Sequence, residues 1–411
     1  MYKEIKKCRL CNDANIIEVL NLGEQYLTGV FPKNKNDKIT KGPLVLVTCR
    51  KCNLLQLNHS FPLDEMYGDN YGYRSSLNQS MVNHLDLKVA YLENLCSLSP
   101  GDIVMDIGSN DATTLKLYKN KSIKRIGIDP VGEKFKKFYT DDIELIPDFF
   151  PSKIYDQKYS SKKAKIITSI AMFYDLESPK KFVKEIASNL ELDGVWHFEQ
   201  SYMPMMLRMN AYDTICHEHI EFYSLMVVKE LLEECALDII DVQINDINGG
   251  SFAVTACHEN SKRYTRNKTV INWLIKQEKE LGIGQIDTYK NFGNRISKHK
   301  SDLLDLLRGL KQDGKTIIGY GASTKGNVLL QYCGITVNEI PFIAEVNSDK
   351  FGSFTPGTNI SIISEKEALE LNPDYYFVFP WHFKHNILLK ESEYISKGGK
   401  FIFPLPYIEI I

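Results

Sequence analysis

The chain has 411 residues, 43% hydrophobic and 25% charged, which is the composition of an ordinary folded protein and too much chain for a single core. Its formal net charge of −2 provides no basic field, so nucleic acid is excluded as the expected partner. No apolar run approaches the ~18 residues of a membrane helix, and residues 1–7 lack the apolar stretch of a secretory signal, so no membrane association and a cytoplasmic location are expected.

Residues 1–75 read as a small metal-binding domain poor in periodic structure. Cys8-x-x-Cys11 is followed, after 37 residues, by Cys49-x-x-Cys52. Two such knuckles offer four thiolates to one tetrahedral zinc ion, and four protein ligands leave no open position, so the metal's role is structural. A redox CxxC is the alternative. Arg50 and Lys51, inside the second knuckle, are cations expected to offset the charge of a four-thiolate site. The other five of the nine cysteines (Cys96, Cys216, Cys235, Cys257, Cys333) are scattered, which suits a reduced protein better than a disulfide framework.

Residues 76–258 alternate helices with short apolar runs. A helix starts at Leu77 and ends near Ser99-Pro100-Gly101. The runs at 103–107, 125–129, 165–170 and 194–199 predict strands of a parallel sheet covered on both faces. Between the first strand and its helix lies Asp106-Ile107-Gly108-Ser109-Asn110-Asp111, where the glycine permits a tight turn and the helix start offers free amides. The next strand ends at Asp129, where an acidic side chain can take both ribose hydroxyls. Together these predict a nucleoside-bearing cofactor held by Asp106, Gly108, Ser109, Asn110 and Asp129. This is not the GxGxxG of dinucleotide binders.

Tyr212-Asp213-Thr214-Ile215-Cys216-His217-Glu218-His219-Ile220-Glu221 is the densest polar cluster in the chain. Histidine can take a proton near neutral pH, and an adjacent carboxylate can fix its tautomer or hold a hydroxyl. A His-x-His chelate and a purely structural cluster are the alternatives. Residues 259–310 predict a helical connector, and residues 311–411 a second, smaller α/β domain. Its first strand leads into Gly319-Tyr320-Gly321-Ala322-Ser323-Thr324-Lys325-Gly326-Asn327, a loop whose amides and Lys325 can meet a diphosphate, or which only stabilises a Rossmann-like turn.

The motif at 106–111 resembles the first motif of class I S-adenosylmethionine methyltransferases. More narrowly, the chain resembles the sugar C-methyltransferases that make branched-chain deoxysugars. That family has a zinc-binding N-terminal domain, a central methyltransferase domain of Rossmann-like α/β fold and a C-terminal Rossmann-like α/β domain, all matched here in order. Cys216-His217-Glu218-His219 resembles the family's Tyr-His-Glu-His, in which the last His is the proposed base and the Glu and leading Tyr contact the sugar. The resemblance therefore implies His219 as base and Glu218 as sugar ligand, with Cys216 at the Tyr position. Asn70-Tyr71-Gly72-Tyr73-Arg74-Ser75-Ser76 resembles the family's Tyr-x-Tyr-x-Ser-Ser, implying Tyr71 and Tyr73 as substrate contacts. The loop carrying Lys325 also matches a family pattern, as does Asn248-Gly249-Gly250-Ser251, which reads as a turn into a late strand. Ala112 replaces a usual glycine and is expected either to change little or to crowd the cofactor.

The implied reaction is C-methylation, at C3, of a nucleotide-linked 4-keto-6-deoxyhexose through an enolate, with S-adenosylmethionine and Zn2+ as cofactors. A water, Tyr73 and His217 are the candidates for the enolate's stabiliser. The rivals are an O- or N-methyltransferase on a sugar nucleotide and a lapsed sugar-nucleotide-binding scaffold. Monomer and homodimer both remain open.

Overall fold

In a computed structural model the described residues are 2–66, 74–159 and 162–411. The central sheet has seven strands: β1 (Ile103–Ile107), β2 (Lys124–Ile128), β3 (Ile143–Ile146), β4 (Ala164–Ile170), β5 (Leu190–Ser201), β6 (Leu237–Asn245) and β7 (Ser251–His258). Their spatial order is 3-2-1-4-5-7-6. Strands 3-2-1-4-5 are parallel, and β7 runs antiparallel to both its neighbours. This is the sheet that the resemblance to class I methyltransferases implies. Every residue of β1 is buried, which explains a sequence that is apolar but for Asp106. The preceding helix spans Gln79–Leu95, ending short of the residues where Pro100 predicts a stop. Asn78 caps it by accepting the Ser80 N–H at 2.9 Å, and Met81, Leu85, Val89 and Leu92 form its buried face.

The second α/β unit has β8 (Ile317–Tyr320), β9 (Phe342–Glu345), β10 (Ser361–Ser364), β11 (Tyr375–Val378), β12 (Lys400–Phe403) and β13 (Glu409–Ile410) in the order 10-9-8-11-12-13. Only the last pairing is antiparallel. Two helices, Lys268–Leu281 and Ile286–Gln312, lie between the two sheets in sequence. Gly282 ends the first at φ +77°, a left-handed cap. The second buries Tyr289, Phe292, Ile296, Leu303 and Leu307 at helical spacing.

The N-terminal part is more ordered than its sequence suggests. Strands Ile16–Tyr26 and Lys41–Cys49 pair antiparallel, and Leu55–Leu57 joins the second. Leu44, Val45, Leu46 and Val47 are all buried, so both faces of that strand are covered and the alternation that marks a strand is absent. The fourth strand of this sheet is Glu221–Phe222, immediately after the His-Glu-His cluster. The lobe's own apolar cluster is small, Leu27, Phe61 and Met66 with Val30 and Ile39. Leu44, Leu46, Leu55 and Leu57 join the apolar cluster of the C-terminal unit, whereas Cys8, Cys49, Cys52 and Leu54 join that of the methyltransferase sheet.

Candidate active site

The four knuckle cysteines converge. Their sulfurs all lie within 4.8 Å of one another, with Cys8–Cys52 at 3.6 Å and Cys11–Cys49 at 3.5 Å. A tetrahedral ion with Zn–S bonds of about 2.3 Å requires sulfurs about 3.8 Å apart, so this donor set fits zinc. Gln56 Nε2 donates to Cys8 Sγ at 3.2 Å, the kind of outer contact that orients a ligand thiolate. Arg50 Nη1 donates to the Gly284 carbonyl at 2.9 Å, tying the knuckle to the helical connector.

The turn after β1 is built as its sequence predicts. Gly108 has φ +72°, and a Cβ there would press on Met172 Cγ at 3.2 Å. Asp129, 4% exposed, accepts the amides of Asn110 and Val131, both at 2.8 Å, so one carboxylate aligns the loop with the end of β2. Each oxygen keeps a second lone pair for a ribose hydroxyl. Ser109 Oγ meets Tyr139 OH at 2.7 Å, and that hydroxyl reaches the Asn110 carbonyl at 3.1 Å. Burial, with Asp129 nearby, pushes the Asp106 carboxyl up to about 7, and Thr168 Oγ1 donates to it at 2.5 Å. Asp106, Gly108, Ser109 and Asn110 line one cleft with Ser75, Gln200 and Asn248. The glycine-opened cradle and its acceptors fit a nucleoside cofactor. Ala112 does not crowd it. Its methyl is fully buried in the apolar layer with Val89, Leu115 and Tyr118, away from the cleft. Its φ of +60° explains why glycine suits this position.

His219 donates Nδ1–H to the Thr214 carbonyl at 2.9 Å. That bond fixes the tautomer and leaves Nε2 as the free base. Its ring lies 4.1 Å from Tyr174. Burial, reinforced by the Lys325 charge, holds the imidazole down to about 3, so it is neutral in the folded protein. Glu218 accepts from Thr28 Oγ1 at 3.4 Å, and its Oε1 rests against Gly29, where any Cβ would overlap it. Burial pushes this carboxyl up.

Two neighbours are placed otherwise than expected. His217 faces the zinc lobe: its ring packs edge-on against Phe61 at 4.6 Å, and Nε2 lies 3.4 Å from the Gly42 carbonyl. It belongs to the lobe's packing, not to the reaction centre, because the Glu221–Phe222 pairing turns it toward that sheet. Cys216 is 1% exposed among Tyr212, Ile215 and Ile220, and its thiol hydrogen-bonds the Glu218 carboxyl. It supports Glu218 from below and presents no surface to a substrate. Tyr71 and Tyr73 lie outside the described residues.

The C-terminal unit closes the centre. Lys325 Nζ donates to the Asn248 carbonyl at 2.7 Å, so its ammonium is engaged with the turn that lines the cofactor cleft, and it retains two further donors. Trp381 Nε1 donates to Asp213 Oδ2 at 2.8 Å, and Trp381 also packs where a Cβ on Gly249 would fall. Asn327 Nδ2 donates to the Thr28 carbonyl at 2.7 Å, fixing the segment that touches Glu218. Sequence reasoning missed Thr28, Gly29, Tyr174 and Gln200. Only Gln200 left a trace, as a polar residue at the carboxyl end of an apolar strand, where open α/β sheets bind ligands.

Family models match in the same order along the chain. A "Putative zinc binding domain" covers residues 8–67, a methyltransferase domain covers 83–242, and a C-methyltransferase C-terminal domain covers 246–406. The C-methyltransferase NovU of Streptomyces niveus is 30% identical over 412 residues, spanning 100% of this chain and 97% of that protein. Among solved structures, an S-adenosylmethionine-dependent methyltransferase from Clostridium acetobutylicum aligns over 42% of this chain and 90% of its own at 12% identity and a TM-score of 0.33. LepI in complex with S-adenosylmethionine aligns over 45% and 53% at 14% identity and a TM-score of 0.35. With the cysteine cluster, the cofactor turn and a full-length relative in agreement, this chain belongs to the C-methyltransferase family, as an S-adenosylmethionine-dependent enzyme with an N-terminal zinc-binding domain.

Proposed function

We propose that the enzyme methylates carbon 3 of a nucleotide-linked 4-keto-6-deoxyhexose by way of an enolate, with His219 as the base. The observation that carries this reading is the Nδ1–H bond from His219 to the Thr214 carbonyl, which leaves Nε2 as a proton acceptor. A carbon beside a ketone is acidic enough for such a base, whereas an unactivated carbon is not. S-adenosylmethionine supplies an electrophilic methyl group. Asp106, Gly108, Ser109, Asn110 and Asp129 would hold it. Glu218, braced by Thr28, Gly29 and Cys216, accepts from a sugar hydroxyl and sets the ring's orientation. Lys325 keeps positive charge beside the centre, disfavouring a protonated His219 before substrate arrives. Convergence of all three parts of the chain on residues 213–219 shields the enolate from water.

The test is incubation with a panel of 4-keto sugar nucleotides and methyl-labelled cofactor, read by mass spectrometry and by the position of the label in the product. Label on the carbon next to the ketone is the expected result. Methylation of the corresponding reduced sugar would show a heteroatom methylase and defeat the enolate route.

A further inference from the structure

The centre described so far supplies a base but no partner for the oxygen on which the enolate's charge develops. We propose that the carboxamide of Gln200 is that partner, with Nε2 donating a hydrogen bond to the acceptor's carbonyl oxygen as it becomes the enolate oxygen. The proposal rests on the reading of this centre as a carbon methylase acting beside a ketone.

Gln200 sits one residue from the end of β5 and is 1% exposed, yet neither Oε1 nor Nε2 has a hydrogen-bond partner among the described residues. An unpaired buried polar group costs about 1–3 kcal/mol, and here both edges of one amide are unpaired. Two polar neighbours on β5 are fully paired. Glu199 is saturated by His84 at 2.6 Å, Lys88 at 3.1 Å and Asn245 at 2.8 Å, and the Trp196 indole N–H reaches Ser169 Oγ at 2.9 Å. The unpaired carboxamide lines the same cleft as Asp106, Gly108 and Asn110, which is where a ligand arrives.

Its place in the sheet separates acceptor from cofactor. The cofactor turn follows β1, and β4 lies between β1 and β5. Two strand spacings of about 4.8 Å put Gln200 about 10 Å from that turn, beyond the cofactor's anchor and toward the acceptor. Strand alternation gives the face. His197 and Glu199 turn toward the helix Gln79–Leu95, meeting Tyr91 and His84. Trp196, Phe198 and Gln200 take the other face, where the first two pack on Phe173, each at 5.3 Å. The next residue, Tyr174, carries the His219 ring against it. Gln200 therefore lies on the face that holds the base and at the edge that opens to the cofactor.

The other polar groups nearby do not suit an enolate. Asp106 and Glu199 are acceptors and would repel it. His217 faces the zinc lobe, and the Lys325 ammonium, though it keeps two further donors, is anchored on the Asn248 carbonyl and does not line the cleft. A neutral amide donor stabilises the developing oxyanion without giving up a proton. In the step, His219 Nε2 takes the proton from the carbon next to the carbonyl, the C–H electron pair becomes the new C=C bond, and the carbonyl π pair moves to oxygen. The imidazolium formed balances the enolate's charge, and the Gln200 N–H···O bond strengthens as that charge grows.

The test uses the full-length zinc-loaded protein and whichever keto sugar nucleotide the wild type methylates. Gln200→Glu replaces the donor edge by an acceptor at almost constant shape. Deuterium exchange at the reacting carbon, kcat and KM for the sugar, and calorimetric cofactor affinity are measured. Exchange and kcat should fall together by about 10²–10³-fold, the usual loss of one oxyanion donor, with cofactor affinity and zinc content unchanged. If Gln200→Glu does not fold, Gln200→Met carries the same expectation. Near-wild-type exchange in either variant overturns the proposal, and so does a parallel loss of cofactor affinity, which would place the carboxamide on the cofactor. A wild type that methylates only hydroxyl or amine acceptors instead sinks the underlying carbon-methylase reading, an outcome visible before any variant is made.

Discussion

Substitution of Gly29 by alanine tests whether Glu218 holds the sugar. A Cβ at this position would overlap Glu218 Oε1 and come within 3.3 Å of its Cδ. Gly29 does not have a positive φ, so alanine brings no backbone strain and slightly restricts the unfolded chain, by about 0.4–1 kcal/mol. What must move is the end of a flexible side chain, so the fold tolerates the change and the melting temperature stays close to wild type. The carboxyl cannot stay where it is. It leaves the position fixed by Thr28 Oγ1 and by the Cys216 thiol. A hydrogen bond to a charged group contributes about 1.5–3 kcal/mol, so losing its alignment should weaken sugar-nucleotide binding about 10- to 150-fold. Steady-state KM for the sugar, calorimetry with S-adenosylmethionine and a thermal melt separate the effects. Only the first should change. Wild-type sugar affinity in a folded Gly29→Ala protein would refute the assignment of Glu218 as a sugar ligand.

Gly108→Val should abolish cofactor binding in calorimetry, because a side chain at φ +72° is strained and meets Met172, while zinc content is retained. Asp129→Ala should weaken cofactor binding by about 1–3 kcal/mol, and unchanged affinity in both variants would move the site elsewhere. Cys52→Ser should lose the roughly one zinc per chain detectable by metal analysis, melt at lower temperature and lose activity; a stable, fully active variant would contradict a structural role. The pH profile of kcat/KM has a definite sign. With neutral His219 as the proposed base, burial plus Lys325 holds its pKa at about 3, so the acid limb should lie well below neutrality. Lys325→Met removes a positive charge that opposes protonation, so the limb should shift to higher pH; an unmoved limb would show that the two groups do not communicate.

The parts legible in the sequence are those whose signal is local. Gly108 at the end of a fully buried strand, Asp129 at the end of the next and the paired CxxC knuckles are each defined within a few residues, and all fall where expected. Strands with polar interruptions were hidden. β3 is Ile-Glu-Leu-Ile, with only its two isoleucines buried, and β6 carries Asp238 and Asp241. The Glu218–Thr28 contact joins residues 190 apart, so no local pattern announces it. Nor can adjacent letters decide which histidine is placed to serve as a base. His217 and His219 share a non-periodic loop, and their opposite fates follow from tertiary anchors: Gly42 and Phe61 for one, Thr214 and Tyr174 for the other.

These anchors also explain why a metal with no open coordination position bears on catalysis. The zinc lobe buries only a small cluster of its own, and many of its other apolar residues join the cores of the two larger units. The metal cross-links the two ends of the 37-residue span between the knuckles, adding to the pairing of Ile16–Tyr26 with Lys41–Cys49 that sets its register. That span contains Thr28 and Gly29, and the strand Lys41–Cys49 that follows pairs with Leu55–Leu57, which in turn pairs with Glu221–Phe222. The Glu218 carboxyl and the exit of the His-Glu-His loop are thus both set by a segment the metal orders. The C-terminal unit completes the same clamp from the other side, through Asn327 on the Thr28 carbonyl and Gln331 on Tyr26. The C-terminal α/β unit thus holds the zinc lobe through these contacts, while its Lys325 sets the charge around His219.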